Sequence, residues 1–210
     1  DLNITDSEIK KNNGRGVWIE GQKVGTVINR TLISESSYIA GLHISSGAGD
    51  VIINSSTISD NDGDGVNLFL PGGYKHVDRT VIRNNNNRGI AILFNESSEY
   101  LSFNNLNYIT HSNIEDNAGY GLFMGNSCLS NSFWNISMNQ FLSNRGDSLV
   151  YQSCWDPSSS KQTTLLVTHN QFRKNKRIAI NISPAFHLNS SLIEHNLFES
   201  NKKGAIYVNN

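Results

Sequence analysis

The stretch Ser7-Glu8-Ile9-Lys10-Lys11-Asn12-Asn13-Gly14-Arg15-Gly16-Val17-Trp18-Ile19 carries a pattern that recurs eight times along the 210-residue chain. Its central apolar residue, which we call the anchor, returns every 24 to 32 residues. The anchors are Ile9, Ile33, Ile58, Ile82, Ile114, Phe141, Phe172 and Phe198. A repeat of this length is typical of a solenoid, in which each copy packs only against its neighbours.

Alignment on the anchor gives three further columns of apolar residues. Five positions upstream stand Ile4, Ile28, Ile53, Val77, Ile109, Ile136, Val167 and Ile193. Eight positions downstream stand Val17, Val66, Ile90, Leu122, Leu149, Ile180 and Ile206, and Leu42 joins them if the second copy carries one extra residue. Two positions further on stand Ile19, Ile44, Leu68, Ile92, Met124, Tyr151, Ile182 and Val208. Short alternations of Val and Ile broken by Asn, Gly and Ser indicate three strands per copy.

Two polar columns and one column of small residues lie between the apolar ones. Two positions before the anchor stand Ser7, Thr31, Ser56, Thr80, Ser112, Asn139, Asn170 and Asn196, and three after it Asn12, Ser36, Asn61, Asn85, Asn117, Asn144, Asn175 and Asn201. Stacked amides can bond along the stack, so we expect buried asparagine ladders. Seven after the anchor, or eight in the second copy with its extra residue, stand Gly16, Gly41, Gly65, Gly89, Gly121, Ser148, Ala179 and Ala205, which indicates a close backbone approach.

The whole pattern resembles the right-handed parallel β-helix of the pectin-lyase-like superfamily. Leucine-rich repeats share the period, but their helical apolar stripe is missing here. We therefore predict an all-β solenoid of about eight rungs, with three short strands per rung, as one domain over residues 1–210. At a strand spacing of about 4.8 Å, the rod would be roughly 38 Å long. Core strands lie next to both chain ends, so we expect the domain to be part of a larger multi-repeat protein.

Composition and cysteine spacing favour an extracellular domain. A net charge of −1 gives no global attraction to nucleic acid, and the chain has no run of 18 apolar residues that could span a membrane. Cys128 and Cys154 fall in the same loop of neighbouring copies, which predicts a disulfide and an oxidising compartment. The predicted glycosylation sites are Asn3, Asn29, Asn54, Asn95, Asn135 and Asn189. Asn181 is a weaker sequon, because Pro184 follows closely.

One acidic column could hold a cation or could simply be solvated. Two positions after the anchor stand Glu35, Asp60 and Asp116, and Asp62 and Asp64 lie close to Asp60. We call these five residues the acidic corner. The D-x-D-x-D-G string starts like a calcium loop, but Pro71 replaces the bidentate Glu at its twelfth position. We therefore predict no metal and no cofactor, with calcium kept as an alternative.

No local motif matches the catalytic groups of sugar-cleaving β-helices. The outward row of the third strand, where a lyase would bind substrate, reads Trp18, His43, Asn67, Ala91, Phe123, Val150, Asn181 and Tyr207 and contains no acid or base pair. His111, His169 and His195 share a column but are expected to be surface residues. The string Arg145-Gly146-Asp147 falls inside a regular turn rather than a protruding loop. A cluster of cations, the basic corner, contains Arg173, Lys174, Lys176, Arg177, Lys202 and Lys203.

Long insertions follow the third strand at residues 93–107, 125–134 and 152–164. They carry aromatic residues that predict a binding edge, namely Tyr100, Phe103, Phe133, Trp134 and Trp155.

Several segments resemble the repeats of the bark beetle protein (Anakonda) family. They are the run Asn170 to Pro184, the segment Ile193-Glu194-His195-Asn196 and the loop Ser153-Cys154-Trp155. The resemblance implies a large single-pass membrane protein whose extracellular β-helix repeats help to build tricellular junctions. It implies a non-catalytic adhesion and scaffold role, with no catalytic residues. The expected partners are proteins, either homophilic or neighbouring repeats, and glycans, with no nucleic acid and no membrane contact by this domain. The alternatives are a polysaccharide lyase or epimerase and a glycan-binding module.

Overall fold

A computed structural model describes residues 1–21, 25–45, 49–69, 73–93, 105–125, 132–152, 163–183, 188 and 190–209. These residues form three parallel sheets of eight strands each, and strands related by three positions in chain order are paired. One rung is a complete circuit of three strands, so the predicted eight-rung β-helix is confirmed. Within the described ranges, no helix is long and apolar enough to cross a membrane.

The strands are numbered in chain order. The first sheet contains β1 (Leu2–Thr5), β4 (Thr26–Asn29), β7 (Val51–Asn54), β10 (Lys75–Asp78), β13 (Asn105–Thr110), β16 (Ser132–Ser137), β19 (Thr163–Thr168) and β22 (Leu192–Glu194). The second contains β2 (Glu8–Lys10), β5 (Leu32–Ser34), β8 (Thr57–Ser59), β11 (Val81–Arg83), β14 (Asn113–Glu115), β17 (Gln140–Leu142), β20 (Gln171–Arg173) and β23 (Leu197–Glu199). The third contains β3 (Val17–Glu20), β6 (Ala40–Ser45), β9 (Asp64–Phe69), β12 (Ile90–Leu93), β15 (Leu122–Gly125), β18 (Leu149–Gln152), β21 (Ile178–Ile182) and β24 (Gly204–Val208).

The strand register reproduces the apolar columns. Ile9 pairs with Ile33, and Phe172 pairs with Phe198 at the other end of the anchor column. Val17 pairs with Leu42, which confirms the extra residue in the second rung. The columns point inward and form one continuous core, because inward and outward residues alternate along each strand.

Two corners of every rung place a non-glycine residue in the left-handed region, with φ between 46° and 59°. The first corner, between the first and second strands, holds Asp6, Arg30, Ser55, Arg79, His111, Met138, His169 and His195. The second corner, after the second strand, holds Lys11, Glu35, Asp60, Asn84, Asp116, Ser143, Lys174 and Ser200. This conformation is costly for residues with a Cβ. Hydrogen bonds between rungs offset the cost, as where the Asp6 amide donates to the Asn29 carbonyl over 3.1 Å.

The residue after each corner turns inward and forms a polar ladder. Asn85 Nδ2 donates to Asn117 Oδ1 over 3.0 Å, and Asn117 Nδ2 donates in the same way to Asn144 Oδ1 over 3.0 Å. Asn139, Asn170 and Asn196 form a second, shorter ladder. These bonds satisfy amides that are buried in the core, so both predicted asparagine columns are confirmed.

The small-residue column is required by the spacing of the rungs. A Cβ added at Gly65 would lie 2.7 Å from the Gly89 carbonyl oxygen of the next rung. A Cβ at Gly121 would lie 2.6 Å from the Ser148 carbonyl oxygen. The strands approach so closely here that a larger residue would push neighbouring rungs apart.

A further core column lies two residues before the first apolar column, and its members are chemically mixed. The buried residues are Thr26, Val51, Lys75, Asn107, Trp134 and Leu165. Lys75 is 1% exposed, and its Nζ donates to the Gly73 carbonyl over 2.6 Å. Burial lowers the pKa of Lys75 from 10.5 to about 8, and the charge of Asp50 opposes this shift.

Candidate binding face

The outward positions of the third sheet form one row along the sheet, as predicted, but its middle members Asn67, Ala91 and Val150 are buried. We call this row and the turn residues beside it the third-sheet face. Adjacent members of the row are in register, for example Trp18 with His43 and His43 with Asn67. The position just before the small-residue column, at or shortly before the start of each third-sheet strand, contributes Arg15, Asp64, Arg88 and Asp147. The face therefore carries charges that the row alone does not reveal.

An arginine contacts two aromatic rings at the N-terminal end of the third-sheet face. Arg15 Cζ lies 4.2 Å from the centroid of the Trp18 ring and 5.3 Å from that of Tyr38. Trp18 is 57% exposed and Tyr38 is 55% exposed. The geometry is that of cation–π contacts on a surface open to solvent.

His43 adjoins this cluster on the next strand. Its Nδ1 is buried and has no hydrogen-bond partner. Burial and the charge of Arg15 lower the pKa of His43 below 6.5, while Glu20 and Asp64 act in the opposite direction. The imidazole is therefore neutral at pH 7 and can still donate or accept one hydrogen bond.

A buried ion pair lies in the middle of the third-sheet face. Arg88 donates from Nε to Asp64 Oδ1 over 3.0 Å and from Nη2 to Asp64 Oδ2 over 2.8 Å. The Arg88 backbone amide and Asn67 Nδ2 also donate to Asp64. Asp64 is 1% exposed, so its carboxylate contacts these partners and is closed to solvent and to ligands.

A second carboxylate is occupied in a similar way three rungs further on. Asp147 Oδ1 accepts from the Ile178 amide over 3.0 Å, and Oδ2 accepts from Asn181 Nδ2 over 2.8 Å. Arg177 Nε lies 3.4 Å from Asp147 Oδ1. Asp147 is the aspartate of the Arg-Gly-Asp string that begins at Arg145. It is 1% exposed, so the carboxylate of that string is buried.

The acidic corner is smaller than the sequence predicted. Glu35, Asp60, Asp62 and Asp116 are exposed, and Asp60 and Asp62 accept hydrogen bonds from Asn84 and Asn86. The expectation that Asp64 belongs to this corner is wrong, because that carboxylate is buried against Arg88 on the third-sheet face.

Asn84 also separates Asp60 from Asp116 in the corner column. Within the described residues, no three His, Cys, Asp or Glu side chains come together as metal ligands.

A polar groove of about 530 Å³ lies beside the acidic corner, on the outer surface of the second sheet. Its lining includes the hydroxyl residues Ser34, Thr57 and Ser59 and the acids Glu35 and Asp60. Charges of both signs line it, since Lys10, Arg30 and Arg83 are also present. This mixture gives the groove no preference for an ion of one sign.

The basic corner contains acids as well as cations. Glu199 lies above Arg173, and Arg173 Nε donates to Glu199 Oε2 over 2.7 Å. Lys174, Lys176, Lys202 and Lys203 remain exposed.

The three histidines of the shared column do not come together as one group. The rings of His169 and His195 stack with centroids 5.0 Å apart, on the exposed surface. His111 instead lies 3.0 Å from Asp78 through its Nδ1. This arrangement agrees with surface histidines.

The predicted binding edge requires a correction. The first strands β13, β16 and β19 begin earlier than the insertion boundaries implied, so Phe133 and Trp134 belong to β16. Trp134 is 1% exposed and lies in the core between Asn107 and Leu165, and therefore cannot bind a partner. Phe133 is half-buried and faces outward beside Tyr108, with ring centroids 6.5 Å apart. The other three members, Tyr100, Phe103 and Trp155, lie outside the described residues.

The modification sites remain predictions. Asn29 and Asn54 take equivalent positions on adjacent strands, as expected, and Asn54 Nδ2 donates to Asn29 Oδ1 over 3.2 Å. Asn3 is exposed and Asn135 is half-buried. Four residues with predicted roles, Asn95, Asn189, Cys128 and Cys154, lie outside the described residues.

Comparison with known proteins places these features in a wider context. A family model described as a right-handed beta helix region matches residues 1–156. Protein bark beetle of Drosophila melanogaster is 34% identical over 218 aligned residues, which cover all of this chain and 7% of that protein. This similarity confirms the resemblance drawn from the sequence. A crystal structure of a periplasmic alginate epimerase double mutant is 17% identical and has a TM-score of 0.49, covering 98% of this chain and 50% of that one.

Proposed function

We propose that this chain, which belongs to the family of right-handed beta helix regions, is a non-catalytic extracellular domain of an adhesion or scaffold protein at tricellular junctions. In this proposal the domain is part of the ectodomain of a plasma-membrane protein. The chain spans 7% of its curated relative, so the role of the whole protein is part of the proposal.

The occupied carboxylates of the third-sheet face support a role without catalysis. Asp64 is bound by Arg88 and Asn67, and Asp147 by Asn181 and the Ile178 amide. A general acid or base must reach the proton that it transfers. These two carboxylates have their oxygens bonded within the fold, so they are suited to fixing the surface rather than to transferring protons.

The exposed aromatic residues of the same face support binding. Trp18 and Tyr38 each expose 55% or more of their surface, although large aromatic side chains are usually well buried. Trp and Tyr are enriched at the energetic centres of protein interfaces.

The construction of the rod suits a scaffold. Each asparagine ladder ties consecutive rungs together through buried hydrogen bonds, for instance from Asn144 to Asn175 over 3.2 Å. Buried, fully bonded polar networks rigidify the structures that contain them. A rigid rod holds binding residues at fixed separations, which is what a junction component requires.

Localisation in living epithelium tests the proposal. The chain would be fused to a fluorescent protein and a single-span anchor, displayed on the outer surface of a cell monolayer, and imaged. We expect enrichment where three cells meet, relative to borders between two cells. The matched controls are the anchor alone and a Trp18→Ala/Tyr38→Ala variant, which should lose the enrichment. An even distribution of the unaltered chain over all borders would contradict the proposed role.

A further inference from the structure

The guanidinium of Arg15 is fixed in place without a counter-ion. Within the described residues, no carboxylate forms an ion pair with Arg15, and its buried Nε has no hydrogen-bond partner. Arg30 and Arg88 differ, because each is paired with an aspartate of a neighbouring rung. A stacked guanidinium that has no ion-pair partner is therefore a positive group that can accept an anion.

The surroundings of Arg15 limit what that anion can be. The rings of Trp18 and Tyr38 both contact the guanidinium, and Ile39, which is 42% exposed, adds an aliphatic surface next to Tyr38. An arginine within an apolar and aromatic surface has the composition of a protein interface centre. His43 adds an unpartnered Nδ1 beside the cluster, and the negative charges close enough to act on that ring are those of Glu20 and Asp64.

We infer that Arg15, Trp18 and Tyr38 form a docking point for an acidic side chain on a protein partner. A carboxylate would accept from the Arg15 guanidinium, and apolar groups around that carboxylate would pack on Trp18, Tyr38 and Ile39. Because stacking already holds the guanidinium, binding it loses less side-chain entropy than binding a free arginine. The inference rests on the proposed function for the statement that the partner is a protein.

A labelled peptide of alternating glutamate and leucine is the probe, and fluorescence anisotropy at low salt is the measurement. The matched probe replaces every glutamate with glutamine. We expect binding of the acidic peptide, little binding of the neutral one, and a loss of about tenfold or more with Arg15→Gln, since one charge-assisted hydrogen bond has at least this effect. Arg15→Lys should lose nearly as much, because lysine keeps the charge but not the planar stack.

Arg30→Gln is the matched control variant. It removes the same charge from the first corner, where Arg30 is exposed and already paired with Asp6. We expect it to bind the acidic peptide as tightly as the unaltered chain does, and the circular dichroism of all variants should be unchanged. If Arg30→Gln and Arg15→Gln lost the same affinity for the acidic peptide, the net charge of the chain would explain the binding, and the inference would be overturned. Absence of binding to the acidic peptide at about 1 mM, near the weak limit of specific association, would also overturn it.

Binding and localisation experiments distinguish a failure of this inference from a failure of the proposed function. They also distinguish a protein partner from an acidic sugar. Binding of polygalacturonate or heparin through Arg15 without binding of the peptide would replace the protein partner with an acidic sugar. Peptide binding through Arg15 without enrichment at tricellular contacts would keep the site and remove the junction role. Enrichment that survives Arg15→Gln would keep the junction role and remove the site.

Discussion

Replacement of Asn117 by alanine should cost about 4 kcal/mol of folding free energy. Asn117 is fully buried, and its side chain makes four hydrogen bonds within the ladder. Its Oδ1 accepts from the backbone and side-chain amides of Asn85, at 3.2 and 3.0 Å. Its Nδ2 donates to the Ile82 carbonyl and to Asn144 Oδ1, at 3.2 and 3.0 Å. At about 1 kcal/mol for each bond, and with the buried partners left unsatisfied, the loss is on the order of 4 kcal/mol.

Urea unfolding followed by circular dichroism measures this loss. The control is Asn86→Ala, which removes one exposed hydrogen bond to Asp62 and should change stability by no more than about 0.5 kcal/mol. A change below about 1 kcal/mol for Asn117→Ala would refute the view that the ladder stabilises the rod. An Asn117→Ala chain that does not fold would show that the loss exceeds the whole folding free energy of the unaltered chain, which agrees with a ladder that stabilises the rod.

The remaining predictions concern the core, the cysteines, the glycans and association. Lys75→Met should raise the urea midpoint at pH 7 and abolish a rise in stability between about pH 8 and 10.5. In the folded chain the pKa of Lys75 is lowered from 10.5 to about 8, so between these pH values the unfolded chain binds one more proton than the folded chain. Folding stability therefore rises over this pH range, by about 3 kcal/mol in total. Mass mapping without reductant should recover Cys128 and Cys154 in one linked pair of peptides, and two free thiols would reject the bond. Protein secreted from animal cells should carry glycans on Asn29 and Asn54, and unmodified side chains at both would count against a secretory origin. Opposite charges at the acidic and basic corners favour head-to-tail contact, so light scattering should detect self-association that weakens with salt, and a monomer at low salt would exclude it.

The sequence predicted the fold because its core columns are chemically uniform. Every anchor is Ile or Phe, and the buried amides repeat at two fixed positions relative to it, so a single alignment gives the strand register. The additional core column could not be found in this way, since Thr26, Lys75 and Asn107 share no chemical property. Its position two residues before an invariably β-branched column was the available signal, because alternation along a strand turns both positions inward.

The binding face was only partly predictable. The outward row followed from alternation, but the pairing of Asp64 with Arg88 depends on a turn position outside that row. Opposite charges at the same position of adjacent copies were the signal in the sequence. Trp134 was misplaced for a related reason, since an extended first strand and an insertion look alike until the register of β16 is known.

The left-handed corners left no signal in the sequence. Residues as different as Met138, Arg79 and Glu35 occupy them. Their conformation is imposed by the hydrogen bonds of neighbouring rungs rather than by the preferences of the residues themselves.

Incubation of the purified chain with uronate polymers tests the central claim, a binding domain without catalysis, most directly. The measurement is the release of unsaturated sugar ends and the change in sugar epimer content over time, with and without calcium. We expect neither product above the level of a heat-denatured sample, because Asp64 and Asp147 are held by partners within the fold. Products that accumulate in proportion to the concentration of folded chain, and that disappear when the third-sheet face is altered, would contradict the account and identify a carbohydrate-active enzyme.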